Sequence, residues 1–136
     1  MGKEIDLLIN YPKAKRNVEE RGATKSEADR ALARKFGKDF FDGDRKNGYG
    51  GFNYMPKFWQ PVIPTFQEYW KLNSNSSLLD VGCAKGFMLY DLSLLIPNIK
   101  LAGIDVSEYA IENAVKELRP FVSVANAINL PFDDNS

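Results

Sequence analysis

The sequence predicts an α/β fold: the first half of a doubly wound parallel sheet, strand order 3-2-1, behind a helical, aromatic-rich N-terminal segment. Three observations predict it. Residues 77–136 alternate short apolar runs with helix-length patterns, in the order strand, helix, strand, helix, strand. The first apolar run ends in the turn Asp80-Val81-Gly82-Cys83-Ala84-Lys85-Gly86, the chemistry of a sharp strand-to-helix bend. The 136-residue chain is neutral overall, with 18 cationic and 18 anionic side chains, yet the charge is unevenly placed. Residues 1–76 carry 14 Lys and Arg against 10 Asp and Glu, a net +4, and residues 77–136 carry 4 against 8, a net −4. Ten of the 17 aromatic residues lie between Phe40 and Trp70. Two units are therefore expected, a helical and loop-rich cap over 1–76 and a half-sheet over 77–136, joined at the polar stretch Asn73-Ser74-Asn75-Ser76-Ser77.

In the cap, Thr24 and Glu27 have capping-box spacing, and Ala28, Ala31, Leu32 and Phe36 follow at helical intervals before Gly37. Residues 42–54 hold four glycines and read as a loop. A second helix is expected to start between Pro61 and Pro64, with Val62, Phe66, Tyr69 and Trp70 as its apolar stripe. In the half-sheet, Leu78 to Val81 reads as a buried strand and Phe87 to Ile96 as a helix stopped by Pro97-Asn98. Lys100 to Val106 is the second strand. Ser107 caps a helix expected to run to about Leu118, with Ala110, Ile111, Ala114, Val115 and Leu118 inward, and Phe121 to Ala125 is the third strand. Right-handed crossovers give the order 3-2-1.

Ligands of such sheets bind beyond the carboxyl ends of the strands. The turn from Asp80 through Gly82 to Gly86 sits there, where glycines let a ligand approach the main chain. Asp105 ends the second strand 23 residues after Gly82, a separation suited to an acid that bonds a ribose diol. Asn126-Ala127 follows the third strand, where an amide and a backbone N–H could meet an adenine edge. A dinucleotide fingerprint would need glycine where the chain has Ala84 and Phe87, and no Gly-Lys-Ser/Thr follows for a phosphate loop. An adenosine ligand without phosphates is preferred. Cys83 reads as a small turn-filling residue without reactivity, and Lys85 as solvated.

Leu78-Leu79-Asp80-Val81-Gly82-Cys83-Ala84-Lys85-Gly86 resembles motif I of class I (Rossmann-like) S-adenosylmethionine-dependent methyltransferases, in particular the N-terminal portion of the type 11-like ones. Gly103-Ile104-Asp105-Val106-Ser107 is similar to their next segment, and Asn126 to Ser136, with Leu130-Pro131-Phe132, to the one after. The resemblance implies S-adenosyl-L-methionine as cofactor and methyl transfer as activity. It implies that Asp80, Gly82, Cys83, Ala84 and Gly86 form the turn under the methionine part. Asp105 would hold the ribose, Val106 would lie against adenine, and Asn126 with Ala127 would read the adenine edge. The chain departs from the pattern at Ala84, in place of a glycine, and at Asn126, in place of an aspartate.

Composition removes several alternatives. With no histidine and one cysteine, the chain has no Ser-His or Cys-His catalysis and no multi-cysteine zinc site; no metal is expected and no catalytic base is assigned. Gly48-Tyr49-Gly50-Gly51-Phe52 has a superficial likeness to an RNA-binding strand, but Gly51 stands where an aromatic belongs and the neutral charge disfavours nucleic acid. Tyr49, Phe52, Tyr54 and Trp59 are read either as a lid over cofactor or substrate, or as packing of the cap onto the sheet. No apolar run reaches 18 residues and residues 1–15 lack a signal-peptide core, so a cytoplasmic location is expected. The motifs announce more sheet than 136 residues supply. A fragment lacking strand four and the acceptor-binding part is expected, with association through the unpaired edge of strand one as a further expectation; a non-catalytic nucleotide-binding or partner module of the same half-fold is the alternative.

Overall fold

Five short helices precede the sheet among the residues described in this computed structural model, 2–15 and 17–136: α1 (Val18–Ala23), α2 (Glu27–Ala33), α3 (Lys38–Phe41), α4 (Pro56–Trp59) and α5 (Ile63–Trp70). There follow β1 (Ser77–Val81), α6 (Phe87–Leu95), β2 (Lys100–Asp105), α7 (Glu108–Glu112), a 3-10 turn over Lys116–Phe121, and β3 (Val122–Val124). All strand pairs are parallel, and the order β1-β2-β3 is the expected 3-2-1 read from the opposite edge.

The core lies between α5, α6 and one face of the sheet. Val62, Ile63, Leu89 and Leu92 are fully buried, and Leu78, Leu101 and Val122 meet them from the strands. Gly103 makes this closeness possible, because a Cβ there would stand 2.7 Å from Leu89 Cδ1 and 2.9 Å from Cys83 Sγ. Gly103→Ala is therefore expected to cost about 1–3 kcal/mol through overpacking, measurable by urea denaturation.

Several elements differ from their sequence reading. The cap of α2 is Ser26, which closes a capping box with Asp29; Thr24 is taken as the C-cap of α1, its hydroxyl donating to the Glu20 carbonyl. Ala28 and Ala31 are exposed and Leu32 is half-buried, so α2 lies on the periphery. Phe36, with φ of 49°, falls beyond the helix. Of the expected α5 stripe, Val62 and Phe66 are buried, whereas Tyr69 and Trp70 remain about half exposed. The first strand is not buried on both faces: Leu79 and Val81 are 37% and 49% exposed, because the helical layer packs on the face that carries Leu78 and leaves theirs open.

The Ser107-capped helix is also shorter than its pattern. It ends at Glu112, because Val115 turns its N–H away to the Lys85 carbonyl at 3.0 Å. Ala110, Ala114 and Leu118 still reach the interior. Burial was legible from the sequence; the helical hydrogen bonding between them was not.

Candidate functional site

The turn after β1 is shaped by three left-handed residues: Gly82 (φ 87°), Ala84 (φ 50°) and Gly86 (φ 79°). Glycine takes this conformation freely, while an alanine in it costs about 1 kcal/mol. Ala84 is held there because its N–H donates to Asp105 Oδ2 at 2.8 Å. The other oxygen, Oδ1, accepts from the Ser107 N–H at 2.9 Å. Asp105 is thus fixed between the turn and the start of α7.

Two cavities meet over this turn. The smaller, about 410 Å³, is bounded by Gly82, Ala84, Asp105, Val106 and Ala127, with Phe36, Phe40 and Tyr49 from the cap. The larger, about 590 Å³, shares Gly82, Ala84 and Tyr49 and adds Asp80, Cys83 and Trp59. A Cβ built on Gly82 would meet nothing within 4 Å, so the turn offers bare main chain to whatever fills the space.

Sequence-predicted residues fall into three groups. Gly82, Ala84, Asp105, Val106 and Ala127 gather at the smaller cavity, and Asp80, Cys83, Tyr49 and Trp59 line the larger. Gly86, Asn126 and Tyr54 line neither. Gly86 is buried beneath Leu118, whose Cδ1 would lie 3.5 Å from an added Cβ. Asn126 Oδ1 accepts from the Ile128 N–H at 3.0 Å, an Asx-type turn. Tyr54 donates to the fully buried Asp91, which also accepts from Gln60 at 3.1 Å. Burial and the Asp91 carboxylate push the Tyr54 hydroxyl up to about 12.

Lys85 is the main correction. It is buried rather than solvated, 6% exposed. Its Nζ donates to Asp42 Oδ2 at 2.6 Å and to the Phe52 carbonyl at 2.8 Å, and stands 5.8–6.0 Å from the Tyr109 and Phe52 ring centres. Asp42 also accepts from the Phe52 N–H and the Tyr109 hydroxyl. Burial pushes Asp42 up, but the bonds from Lys85, Phe52 and Tyr109 outweigh it and hold the carboxyl at about 2. This node straps the 42–54 loop onto the turn, and ring contacts continue it: Tyr49 to Phe52 at 4.3 Å and Phe52 to Phe87 at 4.7 Å. The loop aromatics therefore pack on the half-sheet and wall the cavities at once. Nothing local in the sequence marks the Lys85–Asp42 pair, whose members are 43 residues apart.

Two further groups shape the electrostatics. Burial, reinforced by Asp105, raises Asp80 to about 6. Burial, with Asp80 and Asp105 adding to it, raises Cys83 to about 12, so its thiol stays protonated near neutrality. Among the described residues no cluster of His, Cys, Asp or Glu could hold a metal ion, and no helix is long and apolar enough to cross a membrane.

Residues 72–132 match the family model described as a methyltransferase domain. No curated protein matches the chain. Among solved structures, the one described as the crystal structure of MccD protein matches with 29% identity and a TM-score of 0.51, over 61% of this chain and 39% of that one. The chain thus spans about two-fifths of the length of that solved relative. Both matches support the resemblance read from the three motifs, and with it the class I half-sheet.

Proposed function

With residues 72–132 matching a methyltransferase domain, we propose that the chain binds S-adenosyl-L-methionine for methyl transfer, adenosine in the smaller cavity and the methionyl end over the Gly82–Ala84 turn. In this reading residues 1–76 form the cap and residues 77–136 the cofactor half-domain, and the open edge of β1 is where further sheet or a partner chain pairs. The observation that carries the reading is Asp105. Its carboxylate is immobilised by two backbone N–H groups at the wall of a cavity. A carboxylate has about four acceptor positions, so two stay open for a ribose diol. Val106, 52% exposed, offers an apolar surface for adenine, and Ala127 stands at the adenine edge. Asn126 has its carbonyl oxygen engaged in the turn and contributes less than its position suggests.

When bound, the cofactor supplies an electrophilic methyl group on a sulfonium. The chain's own part is placement and exclusion of water, which supply much of the acceleration of such displacements. Gly82 and Ala84 give the cofactor main chain to rest on. Asp80, ionised above pH about 6, favours the cationic methionyl end, and Tyr49 and Phe52 keep water from the space above the turn.

The test is thermal unfolding with S-adenosylhomocysteine. At a hundredfold excess over Kd the midpoint is expected to rise on the order of 10 °C, and Asp105→Ala, compared with its own unliganded midpoint, is expected to lose the rise. An unaltered chain that shows no shift would overturn the reading. Transfer of labelled methyl to an acceptor separates catalysis from the non-catalytic alternative.

A further inference from the structure

We infer that the larger cavity is built for a methyl acceptor with a flat apolar body and an anionic group, held by Arg21 and Arg45; this rests on the cofactor reading above. The cavity is larger than its neighbour, and Phe52, Phe58, Trp59 and Phe87 give it aromatic walls. Arg21, in the last turn of α1, and Arg45, in the 42–54 loop, line it as well. Neither lines the smaller cavity.

Arg21 and Arg45 are the cations among the described lining residues, and neither has a counter-ion there. Arg30 and Arg34 pair with Glu27, Lys46 with Asp29, and Lys85 with Asp42. Arg21 and Arg45 make no ion pair or side-chain hydrogen bond among the described residues. Asp80 is the one acid among the lining residues, and it belongs to the Gly82–Ala84 wall shared with the cofactor. The charges therefore divide the cavity by function, Asp80 for the cationic methionyl end and the arginines for an anion.

Arg45 is also positioned. A Cβ on Gly50 would stand 2.8 Å from Arg45 Cβ and 3.1 Å from Cγ, so the stem is packed on a glycine (φ 71°) that tolerates nothing larger. Guanidinium groups bond carboxylate and phosphate through paired N–H donors and stack on aromatic planes. Two of them without partners, beside aromatic walls, select an aromatic carboxylate or phosphate over a neutral or cationic molecule of the same size.

The test is calorimetric titration of the 136-residue chain, saturated with S-adenosylhomocysteine, with phenyl phosphate, benzoate and benzamide. At least one anion is expected to bind about tenfold more tightly than benzamide, and Arg21→Gln and Arg45→Gln are each expected to remove about threefold of that preference. The nucleoside should bind both variants as it binds the unaltered chain, which also shows them to be folded. The better of the two anions names the substrate's acidic group. Benzamide binding as tightly as both anions, no binding of any probe, or variants indistinguishable from the unaltered chain would each overturn the inference. Failure of S-adenosylhomocysteine to bind while the anions still discriminate would overturn the cofactor reading, and with it the role as methyl acceptor, and leave the anion selectivity of the cavity standing.

Discussion

Lys85→Met is expected to destabilise the chain by about 3 kcal/mol and to release the 42–54 loop from the turn. The substitution keeps the length and apolar stem of the side chain, so the loss comes from its charge and hydrogen bonds. Asp42 would keep its bonds from the Phe52 N–H and the Tyr109 hydroxyl but lose the one cation that touches it among the described residues. An unbalanced charge in a partly buried site is the costly outcome, more than absence of the pair. The double substitution Lys85→Met with Asp42→Asn should therefore recover part of the loss. Urea denaturation of the three variants decides it; a single variant within 1 kcal/mol of the unaltered chain, or a double variant no better than Lys85→Met, would contradict the account. The pH dependence has a definite sign. Asp42 is depressed to about 2 from an ordinary 3.8, so its support is complete above pH 4 and is lost as pH falls through 2.

Asp80→Asn should act in the opposite direction on stability. In the folded chain Asp80 titrates at about 6 instead of 3.8. Below pH 4 the side chain is protonated in folded and unfolded chains alike. Between pH 4 and 6 the folded state keeps a proton that the unfolded state has released, so folding stability declines as pH rises. Above pH 6 the full penalty is present. Asparagine avoids it, and the variant is expected to be more stable at pH 7 on the order of 2 kcal/mol while matching the unaltered chain near pH 3.5. S-adenosylmethionine should bind the variant more weakly, because the ionised carboxylate is lost, and its binding to the unaltered chain should strengthen as pH rises through 6. Equal stability at pH 7 would show that Asp80 is not strained by its surroundings.

The half-sheet was legible because its signals are local. Leu78 to Val81 before glycine, the apolar run from Phe87, and Ser107 ahead of Ala110 each declare an element within a few residues. The same locality explains the positions of Asp105 and Ala127, which strand ends place at the cavity. What escaped depends on partners far along the chain. Lys85 looked solvated because Asp42 is 43 residues away, and the helix after Ser107 looked long because its interruption is a bond from Val115 to the Lys85 carbonyl. In the cap, Ala28 and Ala31 kept helical spacing without a neighbour to bury against, so periodicity overstated their role. Asp91 interrupts an apolar run in the sequence, and the Tyr54 and Gln60 side chains that donate to its buried Oδ1 come from 37 and 31 residues earlier.

Lys85 touches Asp42 and Phe52, 43 and 33 residues before it, with its side chain, and Val115, 30 residues after it, with its carbonyl. Each contact closes a long loop, and the entropy of closure is spent before the contact returns anything. Contacts of this span form late and raise the contact order of the whole chain. The strand-to-helix bend can begin from its own glycines, but the wall that the 42–54 loop gives both cavities at Tyr49 cannot; it arrives only when that distant segment closes onto the turn. The site is in that sense a product of completed folding, ordered or lost as a unit with the closures around it.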